Sequence, residues 1–143
     1  MQEKFQELIK LLQLFDIRFM DSHESVLCLP DNMTLGKEIE IESGQAFAKE
    51  DPVVNEDSIL FRVKYVFKFS CEKKEYFRTE YVVMFSFKSA DVQKAAELLK
   101  IEKLKKIFVE KQLSRTIWTI LRGTVMDAFN RHSLPPVQLP WII

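Results

Sequence analysis

The sequence predicts an α+β fold: a helix, then several strands, then helices that end in a long C-terminal one. Three observations carry this. Between Ile59 and Phe87, two runs of alternating residues flank a short polar connection, Cys71-Glu-Lys-Lys-Glu75. From Leu113 to His132, the residues Leu113, Ile117, Ile120, Leu121, Val125 and Phe129 recur at helical spacing, so one stripe of that helix needs a partner surface. The last stretch carries Pro135, Pro136 and Pro140. Prolines remove amide donors and fix φ, which excludes helix and central strand there.

Taken in order, Met1 to about Leu14 reads as an amphipathic helix, with Phe5, Leu8, Ile9 and Leu12 opposite Glu3, Lys4, Glu7 and Lys10. The period then changes to two: Phe15, Ile17 and Phe19 alternate with Asp16, Arg18 and Met20, which predicts a strand. Asp21-Ser-His23-Glu24 reads as a polar turn. Val26–Leu29 is a second short run, closed by the turn signal Pro30-Asp31-Asn32. Ile39 and Ile41, set among Glu38, Glu40 and Glu42, predict a strand with one wet face. Gly44 to Glu56 is polar, contains Pro52, and reads as a loop or irregular crossover.

The middle is the clearest signal. Ile59, Phe61, Val63, Tyr65, Phe67 and Phe69 share one face, and Phe77, Thr79, Tyr81, Val83, Phe85 and Phe87 share one face of the next run. This is an antiparallel hairpin whose one side is almost wholly aromatic and β-branched. Burying each such side chain is worth about 1.5–3 kcal/mol, so that face must meet something apolar, and the C-terminal helix stripe is the candidate. The other face mixes Leu60, Val66, Val82 and Met84 with Arg62, Lys64, Arg78 and Glu80. A half-apolar second face suits packing against another subunit. Ser89-Ala-Asp91 offers an N-cap for a helix through Leu99. Leu98 to Val109 continues helically, and residues 111–130 form the long final helix of about 30 Å. Gly123 within it suggests close approach of another backbone.

Composition narrows the function. The chain has 143 residues, 47% of them hydrophobic and 29% charged, which is one globular domain with room for a core. With 21 basic and 21 acidic residues, no overall field draws it to nucleic acid or an anionic membrane. The lysine-rich stretch from Lys94 to Lys111 is interrupted by Glu97, Glu102 and Glu110 and reads as a solvated helix face. No apolar stretch approaches the roughly 20 residues that span a bilayer. The charged start, Met1-Gln-Glu-Lys, gives no secretory signal, so a cytoplasmic location is expected.

Catalytic constellations are missing from the pattern. Cys28 and Cys71 stand far apart and read as free buried thiols. His23 falls in the expected polar turn, and His132 at the helix end, where a cation is favourable. The three glycines are isolated, and there is no phosphate loop, nucleophile elbow or metal-spaced cluster. Glu38, Glu40 and Glu42, like Asp16 and Asp21, read as surface charge. The expectation is a protein without catalysis, cofactor or metal. An apolar pocket between sheet and helix would instead make it a small ligand-binding domain or enzyme. A plain oligomeric scaffold is a third possibility.

The alternating aromatic hairpin, the long helix with Arg122 near its middle, and the tail Asn130-Arg-His-Ser-Leu134-Pro-Pro-Val-Gln-Leu-Pro140 together resemble the SecB family of export chaperones. The resemblance covers roughly Leu14 to Ile143, with residues 1–13 as an additional N-terminal helix on a single SecB-like domain, 1–143. It implies a four-stranded antiparallel sheet with helices on one face, assembled as a homotetramer, a dimer of dimers. It also implies ATP-independent holding of unfolded polypeptide in apolar grooves, where backbone pairing gives affinity without sequence choice. On that reading Phe47, Trp118, Leu121, Leu134 and Trp141 line the client groove. The implied partners are unfolded or preprotein clients, with a translocase motor or a dedicated client such as an antitoxin beside them. The chain departs from the plain members in its neutral charge, its N-terminal helix and Thr116-Ile-Trp-Thr-Ile120 at the start of the long helix. Those departures bear on motor docking more than on the fold.

Overall fold

The predicted hairpin lies at the centre of the sheet. In the computed structural model, which describes residues 2–29, 39–47, 51–137 and 139–140, the strands are β1 (Gln13–Val26), β2 (Ile39–Phe47), β3 (Val53–Val54), β4 (Ser58–Cys71) and β5 (Lys74–Lys88). The order is β1-β5-β4-β2, with the two-residue β3 also paired to β4, and every pairing is antiparallel. The helices are α1 (Gln2–Leu11), α2 (Val92–Leu99), α3 (Glu102–Ile107) and α4 (Ser114–Arg131).

Alternation decides which side of the sheet is buried. Ile59, Phe61, Val63, Tyr65, Phe67, Phe69 and Cys71 on β4 are all buried, as are Phe77, Thr79, Tyr81, Val83, Phe85 and Phe87 on β5. Two groups of aromatic rings set α4 lengthwise on this face. At one end Phe108 lies 5.3 Å from Phe61 and 5.6 Å from Phe87, and at the other Phe129 lies 4.8 Å from Phe69 and 4.9 Å from Phe77. Trp118 sits between them, 6.0 Å from Phe67. The lengths agree: eight residues of β4 from Phe61 to Phe69 cover about 27 Å, and the helix from Phe108 to Phe129 covers about 30 Å.

Several elements differ from the sequence reading. Helix α3 does not stop before α4. A π-helical segment, Phe108–Leu113, joins them without a break. Residues five apart lie about 140° apart around an α-helix, whereas a turn closed by i→i+5 bonds stacks them. Phe108 and Leu113, both buried, thereby share one face. Strand β1 is a single element, and Asp21–Glu24 belongs to it rather than to a turn, His23 pairing with Glu80. Strand β2 continues through Gly44 to Phe47, into the stretch expected to be a loop.

The register of β1 shifts between Leu14 and Asp16 and again between Phe19 and Asp21. These bulges send Leu14, Ile17 and Phe19 to the buried side and leave Phe15 and Met20 out, 51% and 47% exposed. Bulges re-aim side chains on an edge strand in this way. No atom outside the helix's own backbone lies within 4 Å of a Cβ built on Gly123. The close approach expected there does not occur among the described residues. The capping of α2 matches expectation, with Asp91 Oδ1 accepting from the Lys94 amide at 3.2 Å.

Helix α1 packs beside α2, with Leu8 fully buried and a Glu7–Lys94 ion pair between the two helices. Outside, Glu40 and Glu42 of β2 are exposed, and Leu60, Val66, Val82 and Met84 are half-buried on the outer sheet face.

The β4–β5 turn places Glu72 and Lys73 at φ 53° and 64°, the pattern of a type I′ turn, which glycine and asparagine fill without strain. Lys73→Gly should therefore stabilise the fold by about 1 kcal/mol, seen as a rise of about 2–4 °C in the thermal midpoint. Burial pushes the phenols of Tyr65, Tyr76 and Tyr81 from 10.0 up to about 12. A raised folded-state pKa gives stability that is complete below pH 10 and lost as pH climbs from 10 to 12. Alkaline unfolding in that window should coincide with tyrosinate absorbance. Tyrosinate formed while tertiary dichroism persists would contradict the burial of these rings.

Candidate functional site

The C-terminal tail returns along α4 because of how that helix ends. Ser133 takes φ 55°, the Leu134 amide donates to Phe129 O at 3.0 Å and the Ser133 amide to Asn130 O at 3.2 Å. This is a Schellman termination, completed by the buried pair Phe129 and Leu134. From there the chain returns toward the start of α4, where Leu139 and Pro140 meet it. Six residue steps can reach about 19 Å at the polyproline rise. The eleven helical residues from Phe129 back to Trp118 cover about 16 Å. Trp118 Nε1 donates to the Pro140 carbonyl at 2.7 Å, and Arg122 Nε donates to the Leu139 carbonyl at 3.1 Å. Leu139 is 2% exposed.

Proline's missing amide costs this segment nothing, because α4 holds it through its carbonyls. Trp118 and Arg122 are four residues apart, about one turn and 6 Å along the axis, and they meet successive peptide groups of the tail. The indole and guanidinium replace the strand that an extended segment would otherwise need.

Trp118, Leu121 and Leu134 of the expected groove are each buried. Leu121 and Leu134 belong to the same core cluster as Leu139. Phe47 ends β2 opposite Val63, with its side chain outside the described residues, as is all of Trp141. Sequence reasoning missed Leu139 as an anchor and the carbonyl-binding part of Arg122. The leucine three residues past Pro136 was the available signal.

Exposed apolar surface lies elsewhere. Val26, Leu27 and Leu29, at the end of β1 and beyond, are 39%, 49% and 74% exposed, and Val53, Val54 and Ile120 are also open. Phe15, Met20, Val26, Leu27 and Leu29 lie on β1 or just beyond it, and among the described residues β1 pairs only with β5, leaving one edge of its backbone open. A free edge flanked by apolar side chains can accept an extended polypeptide as an added strand.

Two further features frame the site. Ser114 is buried, and its hydroxyl donates to Val109 O at 3.1 Å in the π segment. It also lies 3.5 Å from the Tyr65 hydroxyl. At the far end, Glu24 of β1 meets Arg131 and, at 3.0 Å, His132 Nε2. The His132 ring sits edge-on to Phe77. Nearby, the buried hydroxyls of Thr79 and Tyr81 lie close together without hydrogen-bonding alignment.

Glu75 on β5 is held below the usual carboxylate range by the hydrogen bond from Arg78. Among the described residues no cluster of His, Cys, Asp or Glu could hold a metal, and no helix is long and apolar enough to cross a membrane. A cavity of about 220 Å³ opens at the rim, between β3 and the α2–α3 junction, lined by Asp51, Val54, Leu99 and Lys105 among others.

The solved SecB-like chaperone of Mycobacterium tuberculosis, in complex with a ChAD peptide from the HigA1 antitoxin, superposes on this chain with a TM-score of 0.71 at 14% identity, over 99% of this chain and 98% of that one. The fold is SecB-like. A protein of unknown function from Streptococcus agalactiae aligns over 91% of this chain and 98% of its own with a TM-score of only 0.33 at 12% identity. No protein-family model and no curated protein matches the chain. At 99% of this chain, the likeness takes in α1 as well as the sheet and α4.

Glu24 is the carboxylate that fastens the end of α4 to β1, and its side chain is 13% exposed. Glu24→Ala should cost about 1–2 kcal/mol in urea unfolding at neutral pH, the worth of charge-assisted bonds to a cation that water can partly resolvate. A loss below about 0.5 kcal/mol would mean the ion pair is no more than a solvated surface contact.

Proposed function

We propose that this protein is an ATP-independent chaperone or adaptor that holds unfolded or partly folded polypeptides in apolar grooves. The observation that supports the reading is the edge of β1 that is unpaired among the described residues, with its exposed apolar neighbours, Phe15, Met20, Val26, Leu27 and Leu29. Edge pairing supplies main-chain hydrogen bonds to any extended segment, and apolar side chains beside it supply affinity without a sequence code. The M. tuberculosis chaperone of the same fold holds an antitoxin peptide, which supports a client of that kind or an unfolded preprotein. In this proposal Phe47, Trp118, Leu121, Leu134 and Trp141 line the groove.

The working form is a homo-oligomer, a dimer of dimers. Support comes from the half-apolar outer face of Leu60, Val66, Val82 and Met84 and from Ile120, 48% exposed on α4. A cytoplasmic location, a translocase motor as further partner, and the lack of catalysis, cofactor, nucleic-acid binding or membrane insertion complete the reading.

The test is suppression of aggregation when a denatured client is diluted from guanidinium without nucleotide. Near-stoichiometric protein should abolish light scattering, and native mass spectrometry should show a tetramer carrying client. Leu27→Asp/Leu29→Asp, both at exposed positions, should weaken holding about tenfold or more while leaving the fold intact, since two apolar contacts are exchanged for charges. If no complex forms with any reduced, denatured client, the proposal fails. If the double variant holds clients as well as the parent, the β1 edge is not the surface.

A further inference from the structure

From the seating of the tail, we infer that the proposed client groove at Trp118 is closed by the chain's own tail, a displaceable occupant gripped through its carbonyls, and that an extended apolar segment of client takes its place. The inference rests on the holding function proposed above and says where one stretch of client goes.

The tail is a bound peptide in all but covalent connection. It buries apolar side chains, Leu134 and Leu139, and it is gripped at two consecutive carbonyls, those of Leu139 and Pro140. Every peptide has carbonyls in that series, so the donors are blind to sequence. Selection falls on the side chain that enters the Leu139 position, which must be apolar. Because Pro140 has no amide donor, the tail makes a weaker claim on neighbouring acceptors than an ordinary extended segment would. An incoming chain can reproduce both carbonyl bonds and add amide donors of its own.

Displacement would also reach the expected groove residues. Leu134 and Leu139 of the tail are both buried, so lifting the tail uncovers apolar surface that the closed form hides. While the tail is docked, apparent affinity is reduced by the fraction of molecules in which the site is open.

The experiment uses the full chain and one permanently unfolded probe, reduced and carboxymethylated lactalbumin. The indole N–H resonance of Trp118, distinguished from that of Trp141 with Trp141→Phe, should move when the probe saturates the unaltered protein. Leu139→Asp, which removes the anchor, should bind the probe about tenfold tighter, as expected if nine molecules in ten have the tail docked. Adding Arg122→Met to Leu139→Asp should then weaken binding about fivefold, the worth of one carbonyl bond.

Probe binding with the Trp118 resonance unmoved and no tightening in Leu139→Asp would overturn the inference and leave the holding function standing. Failure of the unaltered protein to bind the probe at all would remove both. The resonance in the unaltered protein decides the matter even if Leu139→Asp does not fold.

Discussion

Two aromatic clusters hold a helix along a hairpin, and the rest of the molecule is arranged around that contact. Phe61, Phe87 and Phe108 fix one end, and Phe69, Phe77 and Phe129 fix the other, with centroid separations of 4.8 to 6.1 Å. Such ring pairs add about 0.5–1.5 kcal/mol each beyond area burial. A helix fixed at both ends has no freedom to rotate, which makes its two edges into defined surfaces. One edge receives the tail, and the other exposes Ile120 and Gly123.

The sequence was most legible where burial alone sets the pattern. The hairpin faces, the Asp91 cap and the amphipathic α1 all follow from local alternation or spacing, and each holds in the structure. It was less legible where one residue breaks a period. Phe15 reads as a core position, but a bulge beside it hands its place to Leu14. The joined helices were read as two because five-residue spacing from Phe108 to Leu113 mimics a break. Gly44–Phe47 looked like loop because the residues are polar or small, although β4 supplies a ladder for them.

At the candidate site the sequence announced what needs cover: Trp118, Leu121 and Leu134 are each buried, as an apolar helix stripe and an apolar tail require. That Trp118 and Arg122 would hold the tail by its carbonyls is a matter of three-dimensional register, and nothing in local spacing announces it. Exposure at Leu27 and Leu29 was likewise invisible, because a short apolar run reads the same whether a sheet covers it or not. Pairing Glu24 with Arg131 and His132 joins residues from opposite ends of the chain, beyond the reach of any local pattern.

The π segment also sets where the long helix can change length. A π turn closes over one residue more than an α turn does. Removing one residue between Phe108 and Leu113 would restore four-residue spacing and keep the apolar stripe in line. Removing one within α4 would turn everything beyond it by about 100°. A one-residue deletion is therefore better borne in this short stretch than along the helix that follows it.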